Sequence, residues 1–189
     1  STLFPYTTLF RSVVNAFSTQ NILFINDVSS GFHDMNMLKT VSYLKCNYIM
    51  THMPTEHQKG LNKKYDNVLD ELNIFFNERI KSCINQGIDK EKIIIDPGIG
   101  FGKSGDDNVK ILENIDVLKS IHTNICIGSS NKRFSSKLFN GIETKDDLNI
   151  ANLATFAVSS LRGTEYLRVH DVGLTKDTVL ITDKAKSYM

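Results

Sequence analysis

Asp96 heads the run Asp-Pro-Gly-Ile-Gly-Phe-Gly-Lys-Ser, residues 96–104, in which a carboxylate is followed by Gly98, Gly100 and Gly102. Glycines at this spacing let the backbone pass close to a ligand at φ values that other residues resist. Two phosphate-binding chemistries use such loops. Gly100-x-Gly102-x-x-Gly105 has the spacing of the dinucleotide fingerprint, but Asp96-Pro97 intervenes where that fingerprint needs a tight turn directly off its strand. The P-loop pattern fails too, because Pro97 occupies the place of its first glycine ahead of Gly102-Lys103-Ser104. A carboxylate at the end of an apolar run, beside a glycine loop, is instead the layout of an α/β active-site edge. Polar groups follow the other short apolar runs of the chain as well: Asn26 and Asp27, His52, Ser129 to Lys132, then Arg168 with His170.

The elements that must position these groups alternate. Ile93, Ile94 and Ile95 are β-branched and apolar without a break, the pattern of a strand buried on both faces. Pro97 has no N–H for a ladder and biases Asp96 towards extended geometry, so Asp96 is expected at the strand's carboxyl end. Residues 22–28, 47–53, 124–128 and 165–169 read as further strands. Tyr65, Val68, Leu69, Leu72, Phe75, Phe76, Ile80, Cys83 and Ile84 recur at helical steps up to Gly87, which suits a helix C-terminus. Asp106 or Asp107 can cap a helix whose inner face is Val109, Leu112, Ile115 and Leu118. Thr144-x-x-Asp147 resembles a capping box that opens an alanine-rich helix through Ile150, Ala154, Val158 and Leu161, and a last helix is expected near Thr175. Strands alternating with helices predict an α/β fold with a parallel sheet and helical crossovers. In a parallel barrel the strand ends converge on one mouth, where active sites are built.

Five motifs, each at an expected strand end, carry a family resemblance. Asp-Pro-Gly-Ile-Gly-Phe-Gly-Lys at 96–103 is similar to the signature of the dihydropteroate synthases, pterin-binding enzymes of folate synthesis. Four others agree in the same order: Ile25-Asn26-Asp27-Val28-Ser29, Met50-Thr51-His52-Met53, Gly128-Ser129-Ser130-Asn131-Lys132-Arg133-Phe134, and Arg168-Val169-His170-Asp171-Val172. The resemblance implies a partial TIM (β/α)8 barrel whose five βα units correspond to strands 4–8. A complete barrel of this kind typically needs ~250 residues. The expectation is therefore a carboxyl-terminal portion lacking the first three strands, inactive and unstable as a monomer, with Ile93 to Ile95 wetted on the face those strands would cover.

The resemblance also implies a reaction and its residues. A dihydropterin pyrophosphate ester and p-aminobenzoate would combine, the aromatic amine displacing pyrophosphate. Asp96 would accept the paired N–H donors of the pterin's amidine-like edge, with Asn26, Lys132 and Met53 also at the pterin, and His52 beside Met53 in the pocket wall. Arg168 and His170 would bind pyrophosphate and, with Lys132, serve catalysis, because charge building on the leaving oxygen is best met by cationic donors. Phe101, Lys132 and Arg133 would form the aminobenzoate pocket. Mg²⁺ is expected with the pyrophosphate, its protein ligand lying in the missing part and none in this chain. The sequence departs from the family's Ser-Arg-Lys at Ser130-Asn131-Lys132, where a neutral amide replaces a guanidinium. Ser136 stands where a glycine often closes that motif.

Composition narrows the partners. With 22 basic and 21 acidic residues in 189, the formal charge is +1 and gives no electrostatic footprint for nucleic acid or an acidic membrane. The apolar runs are too short to span a bilayer. The three cysteines lack paired metal spacing and read as cytosolic thiols, with Cys126 a small buried residue in a strand. Residues 1–12 follow no structural period and read like the translation of a sequencing adapter, which leaves 13–189 as the pterin-binding barrel domain. A homodimer is expected of the full-length enzyme. Two alternatives stay open: a pterin-dependent methyltransferase, and a non-catalytic pterin-binding remnant.

Overall fold

The computed structural model describes residues 24–55, 63–129 and 144–188. Among these residues five parallel strands alternate with helices, the α/β order that the sequence pattern predicts. They are β1 (Phe24–Asp27), β2 (Asn47–Thr51), β3 (Ile93–Asp96), β4 (Cys126–Ile127) and β5 (Tyr166–Leu167). Helix α1 (Met37–Leu44) follows β1, α2 (Val68–Asn85) follows β2, α3 (Gly105–Glu113) and α4 (Ile115–Ile121) follow β3, α5 (Lys145–Leu161) follows β4, and α6 (Val172–Lys186) follows β5. The first three strands form a parallel sheet in chain order, with Asn26 opposite Ile49 and Thr51 opposite Asp96. The last two form a parallel pair, joined to β3 by a bridge between Ile95 and Ile125.

Successive strand residues point to opposite faces, and the core divides accordingly. Ile25, Tyr48, Met50, Ile93, Ile95, Ile125 and Ile127 share one core cluster with Val68, Leu72, Phe76, Ile80 and Cys83 of α2 and with Ile111, Ile115 and Leu118 of α3 and α4. Ile49, Ile94 and Cys126 form a second cluster on the other face, with Tyr166 packed on it. All four residues of β3 are buried, as a strand covered on both sides requires. The expected wetting of Ile93 to Ile95 is therefore not found. The strands curl far enough for the Tyr166 ring of β5 to meet Phe24 of β1 edge-on, with centroids 5.9 Å apart.

Local chemistry corrects several boundaries. Ser104, not an aspartate, caps α3: its hydroxyl accepts the Asp107 N–H while the Asp107 carboxylate accepts the Ser104 N–H. The expected single helix after β3 breaks at Asn114 into α3 and α4, and Ile111 joins the buried face while Val109 is only half-buried. The Thr144–Asp147 capping box opens α5 as expected. That helix nevertheless buries Asn152, Thr155, Phe156, Ser159 and Ser160, leaving Ile150 and Val158 outward. Small hydroxyl side chains are tolerable there because Thr155 and Ser159 donate to carbonyls one turn back and Ser160 to Asp183 of α6. Helix α6 starts three residues before Thr175, since the Asp171 side chain accepts the Leu174 N–H.

Candidate active site

The polar residues of the inward strand face meet at the carboxyl ends of the strands. Asp96 is fully buried there, and its carboxylate is shared among three elements. Oδ1 accepts the Gly98 N–H at 2.8 Å. Oδ2 pairs with Arg168 Nη1 at 2.6 Å and accepts the Thr51 hydroxyl at 3.3 Å. The same Nη1 donates to Asn26 Oδ1 at 2.9 Å. Three residues from three strand ends, 142 positions apart at the extremes, thus form one hydrogen-bonded unit. Burial alone would lower the Arg168 pKa, but the Asp96 carboxylate and the Cys126 thiol outweigh it and the guanidinium stays protonated.

The glycine loop takes the conformation its glycines permit: Gly98, Gly100 and Gly102 all have positive φ, at 71°, 78° and 60°. Lys103 closes the loop from inside. It is 3% exposed, and its Nζ donates to the carbonyls of His52, Gly98 and Phe101 at 3.1–3.2 Å. Asn108 is buried beneath it, accepting the Gly100 N–H at 2.8 Å and donating to the Ser104 carbonyl. Motif matching gives Lys103 no role of its own. The signal that points to one is the curl of a glycine loop, which turns carbonyls inward and needs a buried donor to meet them.

Asp27 lies on the opposite face from Asn26 and orders the β1 turn. Its carboxylate accepts the Ser29 N–H and hydroxyl, the Gly31 N–H and the buried Tyr48 hydroxyl. His52 also points away from the mouth, because Thr51 takes the inward position. Its ring stands edge-on to Phe75 of α2 at 4.8 Å, with Nε2 3.8 Å from Glu71. That corrects the expectation that His52 lines a ligand pocket. Met53 is half-buried beside it, and Phe101 is half-buried in the glycine loop, where its N–H donates to the Gly98 carbonyl. His170 is exposed two residues beyond Arg168. Lys132 and Arg133, with the Asn131 and Ser136 departures, lie outside the described residues. Among the described residues no three His, Cys, Asp or Glu side chains could together hold a metal ion.

His52 makes stability pH-dependent. Burial first, then the charges of Lys103 and Lys63, push its pKa from 6.5 down to about 2. An unfolded chain then binds a proton that the folded one refuses. The stabilisation is complete above pH 6.5 and is lost progressively as pH falls towards 2. Between pH 7.5 and 5 we expect denaturant titrations to show a loss of about 2 kcal/mol from this group. His122, buried and bonded to the Ile93 carbonyl, is displaced in the same direction. A His52→Gln chain should therefore keep part of the slope, and an undiminished slope would remove His52 as its source.

Known proteins share this chain's sequence pattern and fold. The family model described as pterin binding enzyme matches residues 12–170. The mitochondrial folate synthesis bifunctional protein of Pisum sativum is 34% identical over 171 residues, covering 84% of this chain and 33% of that protein. Escherichia coli K12 dihydropteroate synthase is 32% identical over 124 residues, covering 66% of this chain and 43% of the relative. The chain thus spans well under two thirds of these curated relatives. The solved structure of Xanthomonas albilineans dihydropteroate synthase with 4-aminobenzoic acid superposes with a TM-score of 0.86 at 32% identity, covering 97% of this chain and 67% of that one. The same enzyme in complex with 7,8-dihydropteroate gives 0.84 at 31%, covering 96% and 66%.

Proposed function

The chain belongs to the pterin-binding enzymes, in the dihydropteroate synthase family, and from that premise we propose that it carries the pterin and pyrophosphate sites of such a synthase. The proposed reaction joins a 6-hydroxymethyl-7,8-dihydropterin pyrophosphate to p-aminobenzoate. The amine nitrogen bonds to the pterin's exocyclic carbon, the carbon–oxygen bond breaks, pyrophosphate leaves with the electron pair, and the nitrogen gives up a proton. The five βα units would correspond to strands four to eight of a TIM barrel.

The observation that carries the reading is the Asp96–Arg168–Asn26 unit, with its acceptor carboxylate and its cation at one mouth. In this reading Asp96 and Asn26 hold the pterin edge, with Met53 and Lys132 beside it. A buried carboxylate suits two parallel N–H donors, and an amide can serve a ring atom in either sense. Arg168 and His170 take the pyrophosphate. Cationic donors at a leaving oxygen strengthen as charge builds there, which is how they would speed the step. Phe101, Lys132 and Arg133 are assigned to the aminobenzoate.

The described residues do not by themselves make a magnesium site, since Asp27 and Asp96 are engaged as above. Magnesium is proposed to enter with the pyrophosphate, held by phosphate oxygens and water, and no step is derived through it. A cytosolic location and a homodimer of the longer enzyme complete the proposal. No described helix is long and apolar enough to cross a membrane, and none of the three cysteines forms a disulfide.

For these 189 residues alone the proposal is substrate binding without turnover, because the relatives' remaining length would supply the rest of the mouth. Calorimetry with the pterin pyrophosphate, beside an assay for dihydropteroate, tests it. Heat of binding with no product is the expected result. Failure to bind the ester at any attainable concentration would sink the reading, and measurable product would overturn the restriction to binding.

A further inference from the structure

We propose that Arg168 makes this site select a pterin bearing pyrophosphate over one without it, because its guanidinium holds the carboxylate that a pterin must use. The inference rests on the pterin reading of the Asp96 site. Asp96 Oδ1 accepts the Gly98 N–H, while Oδ2 receives Arg168 Nη1 at 2.6 Å and the Thr51 hydroxyl at 3.3 Å. Arg168 also satisfies Asn26 Oδ1, the second acceptor assigned to the pterin. Its guanidinium lies flat on Gly128, where a Cβ would come within 2.3 Å of Nη2. Only a glycine there leaves room for the arginine to reach across to Asp96.

A guanidinium and the amino-pyrimidinone edge of a pterin are alike: each is planar and presents parallel N–H donors. With the Gly98 N–H on Oδ1 and Arg168 and Thr51 on Oδ2, the carboxylate keeps one acceptor position, too few for the pterin's paired donors while Arg168 stays. A pterin without pyrophosphate must break a charge-assisted pair whose carboxylate is buried, and it offers the displaced arginine nothing in return. The pyrophosphate ester brings its own anion, so Arg168 exchanges one partner for another. Pyrophosphate then acts twice: it binds the arginine, and it clears Asp96 and Asn26 for the ring. By linkage, free pterin and inorganic pyrophosphate bind this chain with positive coupling.

The test is calorimetry on the full chain with 6-hydroxymethyl-7,8-dihydropterin, with and without saturating inorganic pyrophosphate. Pyrophosphate should tighten the pterin roughly 5–150-fold, the usual span for coupled sites. In Arg168→Met the pterin alone should bind more tightly than to the unchanged chain, and pyrophosphate should no longer alter it. Equal pterin affinity with and without pyrophosphate in the unchanged chain overturns the inference, and that measurement needs no variant to fold. So does a weakening of free pterin in Arg168→Met. If the unchanged chain binds no pterin under either condition, the pterin reading itself fails and takes the inference with it.

Discussion

Asp96→Asn is expected to reduce affinity for the pterin pyrophosphate by about 10–150-fold, since a hydrogen bond to a charged group is worth about 1.5–3 kcal/mol. The substitution replaces one acceptor oxygen with an N–H donor that faces the ligand's own donors, and a buried donor facing a donor adds to the loss. The amide also leaves the Arg168 guanidinium without its counter-charge at 2.6 Å and forces a choice over the Gly98 N–H that Oδ1 now accepts. Calorimetry on the variant, with its melting curve measured alongside, separates lost binding from lost fold. Unchanged affinity would remove Asp96 from the site.

Gly98→Ala is expected to destabilise the chain by about 2–5 kcal/mol, through backbone strain and overpacking together. Gly98 has φ of +71°, and a Cβ there would lie 2.1 Å from the His52 carbonyl oxygen, a backbone atom that cannot step aside. The left-handed conformation costs about 1–2 kcal/mol in a residue bearing a Cβ, and forced overpacking adds about 1–3 kcal/mol. Relieving the clash would pull the Gly98 N–H off Asp96 and disturb the carbonyls that Lys103 gathers. Gly163 is the natural control. Its φ is +86°, but its nearest neighbour is the flexible end of Lys119 at 3.2 Å, so Gly163→Ala should cost only the conformational part, about 1–2 kcal/mol. Equal denaturant midpoints for the two variants would show that the loop is free to shift.

The capping residues show where reading a sequence succeeds and where it stops. Thr144 and Asp147 are legible as a capping box because both partners lie within one turn of chain. Ser104 is not separable from the nearby aspartates by type, because Ser, Asp and Asn cap almost equally well. Only the chain's path out of the glycine loop decides which of them reaches the first turn. The buried face of α5 is hidden for a related reason. Its apolar residues Ile150 and Val158 lie outward, while small polar residues meet α6 with their hydroxyls satisfied within the helix or across to α6.

The sequence by itself determined the order of strands and helices, the unbroken apolar pattern of Ile93 to Ile95, the positive φ at the three loop glycines, and the family, while the burial of those isoleucines in this chain is a finding of the structure. Each depends on local pattern: period, β-branching, or a backbone geometry that only glycine takes without strain. Tertiary structure alone decided which face each strand-end residue serves. Neighbouring residues on a strand look in opposite directions, so Asn26 reaches Arg168 while Asp27 turns to Tyr48, and Thr51 reaches Asp96 while His52 turns to Phe75. A shift of one residue in register would exchange these roles without changing the composition of any motif. The Arg168–Asp96 pair belongs to the same class. It forms because the strands curl until residues far apart in the chain stand 2.6 Å from each other, a distance that no local pattern encodes.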